Sequence, residues 1–325
     1  MTSFANDYMR RGLFFDADAA TGNYMTVSQT GAGAMAQPPI IATPTKDATG
    51  ENFPVGSWLL PKHLRRHVAA YYTFARTADD IADHEALPSA DKLRRLETLR
   101  ATLVGEGDGA PVAVALRQVL AERGLPATHA LDLLVAFRQD AETSRYATWD
   151  DLMTYCRYSA APVGRMVLAI HGEPAETWAA SDALCAALQV INHLQDCGED
   201  YRRLDRVYLP LAELKDAGVE VAALAAPRAS PGLRAVIVAM AQRTAALLQR
   251  SRPLADQVRD RRLRLEVAVI QRLAEDLTRR LIARDPLSER VHHRKLELVG
   301  LAGSALLRAA WPAPRANPRS ATIAE

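Results

Sequence analysis

Cysteine is scarce: the chain has Cys156, Cys185 and Cys197 and no others. An odd number, set in stretches with helical periodicity, gives no disulfide framework and reads as reduced thiols. Cys156 and Cys197 also lack the paired C-x-x-C spacing of a thiolate zinc site. A dominant charge is missing too: 40 Lys+Arg stand against 38 Asp+Glu, which argues against a general nucleic-acid binder. There is no run of about 20 apolar residues to span a bilayer. The nearest stretch, "LELVGLAGSALLRAAW" (296–311), is short and interrupted by Glu297 and Arg308. No basic segment followed by an apolar one opens the sequence, so no secretory signal is visible and a cytoplasmic placement is expected.

Strand-like alternation is also scarce, whereas helical spacing is not. The 325 residues, 49% hydrophobic, suffice for a large core. Residues 1–50, rich in Gly, Ala, Thr and Pro, have no period and read as a disordered extension. "GAGAMA" (31–36) fits a dinucleotide fingerprint on paper, but polar "TVSQT" and "QPP" replace the strand and helix that the fingerprint needs. From Phe53 onward apolar residues recur at three- and four-residue spacing, as in "HLRRHVAAYYTFARTADDIADH" and "THALDLLVAFRQDAE". Thr148 and Asp151 form a capping box opening "WDDLMTYCRYSAAPVGRMVLAI", which Gly172 ends. A helix is predicted over 177–202, and long helices over 231–251, 261–284 and 288–310, the first of these three with Ser230 as cap and Pro231 at its first position. The expectation is one all-α helical bundle with a central cavity over 51–311, and a flexible tail over 312–325.

Two acidic stretches sit in apolar helix. In "ARTADDIADHE" (75–85), Asp79 and Asp83 are four apart and share a face, with Asp80 about 100° away. In "QVINHLQDCGEDYRRLDRVYLP" (189–210), Asn192, Asp196 and Asp200 fall at i, i+4 and i+8, and Gln189 extends the stripe by a turn. Like charges at this spacing repel, and burial raises the cost. A lone D-x-x-x-D is usually a solvated face; two such stripes embedded in apolar helix, one with an uncharged amide, point instead to magnesium. That ion takes oxygen ligands and joins one or two carboxylates to substrate phosphates. Facing stripes would suit a diphosphate that departs to leave a carbocation in a dry pocket.

The quoted motifs are similar to those of the squalene/phytoene synthase family over Glu51 to about Trp311. "YYTFARTADDIAD" resembles its first aspartate-rich motif and "VINHLQDCGEDYRRLDRVYLP" its second. "YCRYSAAPVG" (155–164) resembles its tyrosine-bearing helix, and "RDPLSERVHHRK" (284–295) its basic C-terminal segment. The resemblance implies an isoprenoid-synthase fold with two or three magnesium ions, held by Asp79, Asp83, Asn192, Asp196 and Asp200 with Asp80 assisting. It implies diphosphate contacts from Arg76, Gln189, Arg290 and Lys295, and an active-site role for Tyr155. Asn52 stands where relatives carry a diphosphate-contacting serine, and Gln195 where many carry an arginine.

Those departures favour a family member that ionises presqualene diphosphate and lets water capture the cation, with no nicotinamide cofactor. Ser159 lies one turn after Tyr155, so both hydroxyls are expected on one side, able to hold a water; Pro162 is expected inside the same helix, freeing a carbonyl. The alternative for Ser159 is a bond back to the Tyr155 carbonyl. Tyr72 and Tyr158 suit either the prenyl cavity or plain core. His193 reads as structural, since it faces about 100° from Asn192. Three other functions stay open: coupling of two allylic diphosphates to presqualene diphosphate or phytoene, squalene formation with NADPH, and a non-catalytic prenyl-diphosphate-binding subunit. Segment 288–310 carries apolar residues with Arg290, Arg294, Lys295 and Arg308, which suits either packing on the bundle or peripheral contact with the inner membrane face. Transient contact with other squalene-pathway enzymes is a further expectation.

Overall fold

A computed structural model describes residues 61–310, without the side chains of Lys295, Leu296, Val299 and 307–310. The extension 1–50, "GAGAMA", Asn52 and the tail 312–325 lie outside the described residues. Among those described, the chain is helical: α1 Arg65–Ala82, α2 Ser89–Val104, α3 Pro111–Arg123, α4 Thr128–Glu142, α5 Trp149–Ser159, α6 Ala161–His171, α7 Trp178–Gln195, α8 Cys197–Leu204, α9 Leu211–Asp216, α10 Pro231–Ser251, α11 Leu254–Gln257, α12 Arg261–Ala283 and α13 Lys295–Ala310. An isolated parallel bridge between Arg145 and Val207 is the one strand-like pairing among them. The all-α expectation holds.

Local chemistry explains most boundaries. Thr148 accepts from Asp151 N while the Asp151 carboxylate accepts from Thr148 N (2.9 Å), the expected capping box. Ser230 accepts from Leu233 N, with Pro231 opening α10. Gly172 ends α6 at φ 73°, a conformation that suits a residue without a side chain.

Three predicted helices differ from the observed ones. The single helix over 149–170 is two, parted at Ala160 (φ −119°, ψ −48°), with Pro162 in the first turn of α6. A proline lacks an N–H, and a first turn is where that loss costs nothing. Pro162 is therefore not inside a helix, and the carbonyl role argued from that position does not stand. The helix over 177–202 is interrupted at Asp196 (φ −105°, ψ 7°). The predicted helix 288–310 starts only at Lys295, because the Asp285 carboxylate wraps the preceding chain into turns. It accepts from Ala229 N (2.9 Å), Leu287 N (3.0 Å) and Ser288 Oγ (2.9 Å).

Helix α7 is the axis of the bundle. All of Gln189 to Gln195 is buried, and α10, α12, α6 and α5 pack around it. Tyr71, Phe74, Phe137, Tyr155 and Tyr208 fill the surrounding core. Fully burying a large apolar side chain contributes about 1.5–3 kcal/mol, so such a layer can hold polar groups that oppose folding.

Candidate active site

Helix α1 delivers the first stripe. Its core face carries Val68, Tyr71, Phe74, Ala75 and Ala78, and the same face continues into Asp79, which is only 1% exposed. Asp79 and Asp83 remain one turn apart, with Asp83 N donating to the Asp79 carbonyl at 2.9 Å. Arg76 reaches across this turn, 2.7 Å from Asp80 Oδ1 and 3.7 Å from Asp79 Oδ2. Asp80 therefore has its own cation, while Asp79 points inward.

The second stripe survives the interruption in its helix. Asp196 N donates to the Asn192 carbonyl (2.9 Å) and Asp200 N to the Asp196 carbonyl (2.8 Å), so four-residue spacing continues. Asn192 and Asp200 are buried and Asp196 is half-buried. Helix α8 ends at Asp205, which adopts φ 49°. The turn brings Arg206 back so that its amide donates to the Asp200 carbonyl at 3.2 Å.

Arg206 joins the two stripes. Buried itself, its guanidinium donates to the Asp83 carboxylate and to the carbonyls of Ala82 (3.3 Å) and Asp140 (3.1 Å). At the surface, Arg203 pairs with Glu85 at 3.1 Å, a second tie between α8 and the end of α1. Lys92 donates to the same Ala82 carbonyl at 2.9 Å.

Behind this junction lies a polar and aromatic layer. The Tyr155 hydroxyl donates to Asp140 Oδ2 at 3.0 Å, and its ring lies near Tyr146, Tyr208 and His193, with centroids 5.1, 5.8 and 6.2 Å away. His193 stacks on Tyr208 at 3.5 Å between centroids, and its Nε2 accepts from the Gln189 amide at 3.1 Å. The Gln189 Oε1 and Ser159 Oγ are buried with no hydrogen-bond partner among the described residues. Ser159 thus does not bond back to Tyr155, and Tyr155 spends its hydroxyl on Asp140. His193 has the structural packing read from the sequence.

Burial sets the electrostatics. It pushes the Asp79 carboxyl well above the usual carboxylate range, with Asp83 adding to the rise. Burial also opposes charge on Asp83, but Arg206 holds that carboxyl below its ordinary value. Asp140 is raised, again mainly by burial. Burial pushes His193 well below its usual range, so its imidazole stays neutral. Among the described residues, no three His, Cys, Asp or Glu side chains form a ready-made metal cluster. The donors at hand are carboxylate and amide oxygens split between two stripes, a set that fits magnesium completing its shell with phosphate and water. Asp79, disfavoured as an anion by its burial, is a carboxylate that a bound cation would relieve.

Farther along α7 the lining turns apolar. Val163, Val167, Leu184, Leu188, Val267 and Ile270 surround a cavity of about 50 Å³. Gly164 lets α6 and α7 meet there: an added Cβ would stand 2.5 Å from Ser181 Oγ and 2.6 Å from Cys185 Sγ.

The structure does not bring every expected residue to this place. Arg290 is exposed and lines a separate cationic cleft of about 540 Å³ with Arg280, Arg284, His292 and Arg294. That cleft is tied to α7 by a Gln195 amide donating to the Val291 carbonyl. The Lys295 side chain and Asn52 lie outside the description. Arg206, Asp140, Lys92 and Tyr208 were not singled out from sequence. Arg206 and Tyr208 lie inside the second quoted motif, and the position of Asp140 on the face of Leu133, Ala136 and Phe137 in α4 was the available signal for the third.

The family model for squalene/phytoene synthase matches residues 46–297. The sequence is 52% identical over 277 residues to the hydroxysqualene synthase of Rhodopseudomonas palustris, covering 82% of this chain and 95% of that one. It is 52% identical over 254 residues to the hydroxysqualene synthase of Zymomonas mobilis, covering 78% and 86%. The fold is similar to the crystal structure of a squalene synthase, HpnC, from Alicyclobacillus acidocaldarius, with TM-score 0.62 and 38% identity over 71% of this chain and 86% of that one.

Proposed function

The chain belongs to the squalene/phytoene synthase family, and from that premise we propose that it converts presqualene diphosphate and water into hydroxysqualene and diphosphate. The observation that carries the reading is the pair of carboxylate stripes folded inside the bundle, with nearly buried Asp79 at one end and Asp200 at the other. Carboxylates kept there without a ligand oppose folding, so their placement calls for a cation and an anionic substrate. Asp79, Asp83, Asn192, Asp196 and Asp200 would hold magnesium, with Asp80 assisting. When bound, the metal would neutralise the diphosphate and improve it as a leaving group.

The remaining roles fall to the chain's own side chains. Arg76 lies one turn from Asp79 and Asp80 and would contact the diphosphate as it leaves. Asn52 and Lys295 belong to the same proposed set, whereas Arg290 faces the separate cleft. The Tyr155–Asp140 bond fixes a ring beside the departing group, where its face would stabilise positive charge. The apolar lining from Val163 to Ile270 is chemically suited to hydrocarbon, and its cavity of about 50 Å³ would have to widen to admit a prenyl chain. A cytoplasmic setting, peripheral contact with the membrane holding the lipid substrate, transient contact with neighbouring pathway enzymes and a place in squalene and hopanoid synthesis complete the proposal. No described helix is long and apolar enough to cross a membrane.

The test is product analysis. Purified protein with magnesium is given presqualene diphosphate or farnesyl diphosphate, each with and without NADPH. Hydroxysqualene from presqualene diphosphate, independent of NADPH, is the expected result. Presqualene diphosphate or phytoene made from farnesyl diphosphate, or squalene made only with NADPH, would replace it.

A further inference from the structure

Capturing a cation with a single water requires a place for that water in an otherwise dry cavity, and the polar atoms left over by the network above mark one. Ser159 Oγ and Gln189 Oε1 belong to residues of 0% exposure, and neither has a hydrogen-bond partner among the described residues. An unmet buried acceptor costs about 1–3 kcal/mol, so two in one layer call for an occupant.

The packing puts them in one layer. Tyr155 on α5 lies beside His193 on α7, with ring centroids 6.2 Å apart. Ala160, just past the end of α5, packs on Cys185 and Leu188 of α7. Moving forward along α5 therefore means moving backward along α7. Ser159 is one turn beyond Tyr155 on its face, and Gln189 one turn before His193 on its face, which brings the two to the same level. The Gln189 amide nitrogen is already committed to His193 Nε2, which turns its carbonyl oxygen away from that ring.

The order from α8 back along α7 gives the layer its meaning. Asp200, Asp196 and Asn192 come first, Gln189 follows about 4.5 Å below Asn192, and the apolar lining begins at Leu188 and Cys185. A substrate with its diphosphate at the carboxylates and its hydrocarbon in the apolar part would hold its cationic carbon between them.

We propose that Ser159 and Gln189 position the attacking water. The inference rests on the function proposed above. Ser159 Oγ and Gln189 Oε1 accept the two water hydrogens, which leaves the oxygen lone pairs facing the cation. The C–O bond forms from one lone pair, and the surplus proton passes to the diphosphate released in the ionisation step. Gln189 thereby moves from the diphosphate contacts to the nucleophile, and Ser159 keeps the water expected of it with a different partner from Tyr155.

Two measurements test this. Wild type, Ser159→Ala, Ser159→Thr and Gln189→Leu are given presqualene diphosphate and magnesium in H₂¹⁸O, and the share of alcohol among the products is read. The wild type should give labelled alcohol. Ser159→Ala and Gln189→Leu should lower the alcohol share at least about fivefold in favour of alkenes, the effect of one orienting hydrogen bond, and Ser159→Thr should retain it. No labelled alcohol from the wild type would overturn the proposed reaction itself. Labelled alcohol from the wild type with an unchanged share in both variants would overturn the water site alone. Independently of how the variants fold, a high-resolution crystal structure of the metal-free protein should show a water bridging Ser159 Oγ and Gln189 Oε1; a dry layer there would also overturn it.

Discussion

At one end of α7, Asn192 and Asp200 are buried and Arg206 ties this stretch to Asp83 on α1, whereas toward the other Leu184 and Leu188 meet Val163, Val167 and Val267. The same helix serves both ends, yet the forces differ in sign. Apolar burial at the far end favours folding on its own. Charge burial at the near end opposes folding unless each group finds a partner, and removing one partner leaves the other stranded. The near end thus gives up stability for chemistry, and the far end supplies both the stability and the shape. Substitutions at the two ends should accordingly separate stability from activity.

The largest effect should come from Arg206→Leu, which strands Asp83 and removes the donor to two buried carbonyls. A loss of about 3–5 kcal/mol in urea unfolding is expected. A loss under 1 kcal/mol would mean that the near end does not depend on its cation. Asp79→Asn and Asp196→Asn should cut turnover of presqualene diphosphate by about 10²–10³-fold. Asp79→Asn should leave the metal-free melting temperature equal or higher, because a buried charge that opposes folding is gone. Turnover near wild type in both would end the two-stripe mechanism.

At the far end the expectation reverses. Gly164→Ala forces a methyl against Ser181 and Cys185, costing about 1–3 kcal/mol by overpacking, readable as a lower urea midpoint. Magnesium binding, followed calorimetrically with a diphosphate analogue, should persist in the folded fraction. The smallest effect belongs to Asp285, outside both ends. Burial works against its charge, but donors from Ala229, Leu287 and Ser288 hold its carboxyl below the ordinary range. A depressed folded value means stability present above the unfolded pKa of about 4 and lost as pH falls through the folded value. Asp285→Ala should therefore be about 1 kcal/mol less stable than wild type at pH 7, and the difference should shrink as pH falls through the depressed folded value. A constant difference down to pH 2 would show that charge is not the cause.

Short-range signals carried most of the fold. The capping box at Thr148, the cap at Ser230 and the stop at Gly172 act within a turn of chain, and each was legible. Pro162 was visible but misplaced, because helical periodicity alone does not tell an interior from a first turn when α5 and α6 run nearly end to end. The late start of α13 was hidden for another reason: it depends on Asp285 gripping Ala229 across 56 residues. The site divides in the same way. Asp79 and Asp83, or Asn192 and Asp200, announce themselves by spacing within one helix. Arg206 pairs with Asp83 over 123 residues, and Tyr155 reaches Asp140 on a different helix, so their roles become visible only once the helices pack.

Asp196 combines two properties that are usually kept apart. It stands in the middle of the second stripe, and it is also the residue at which the helical rod is interrupted, with φ −105° and ψ 7°. On one side is the buried axis of the bundle; on the other is α8, a short lever of eight residues and about 12 Å that ends in Arg203, Asp205 and Arg206. The joint of this lever is itself a carboxylate-bearing residue. A change in the backbone at this joint would shift the Asp196 carboxylate and α8 together, and with them the pairs to Glu85 and Asp83 near its tip. A ligand held by Asp196 would thus be linked through one joint to the pairs that tie α8 to the end of α1.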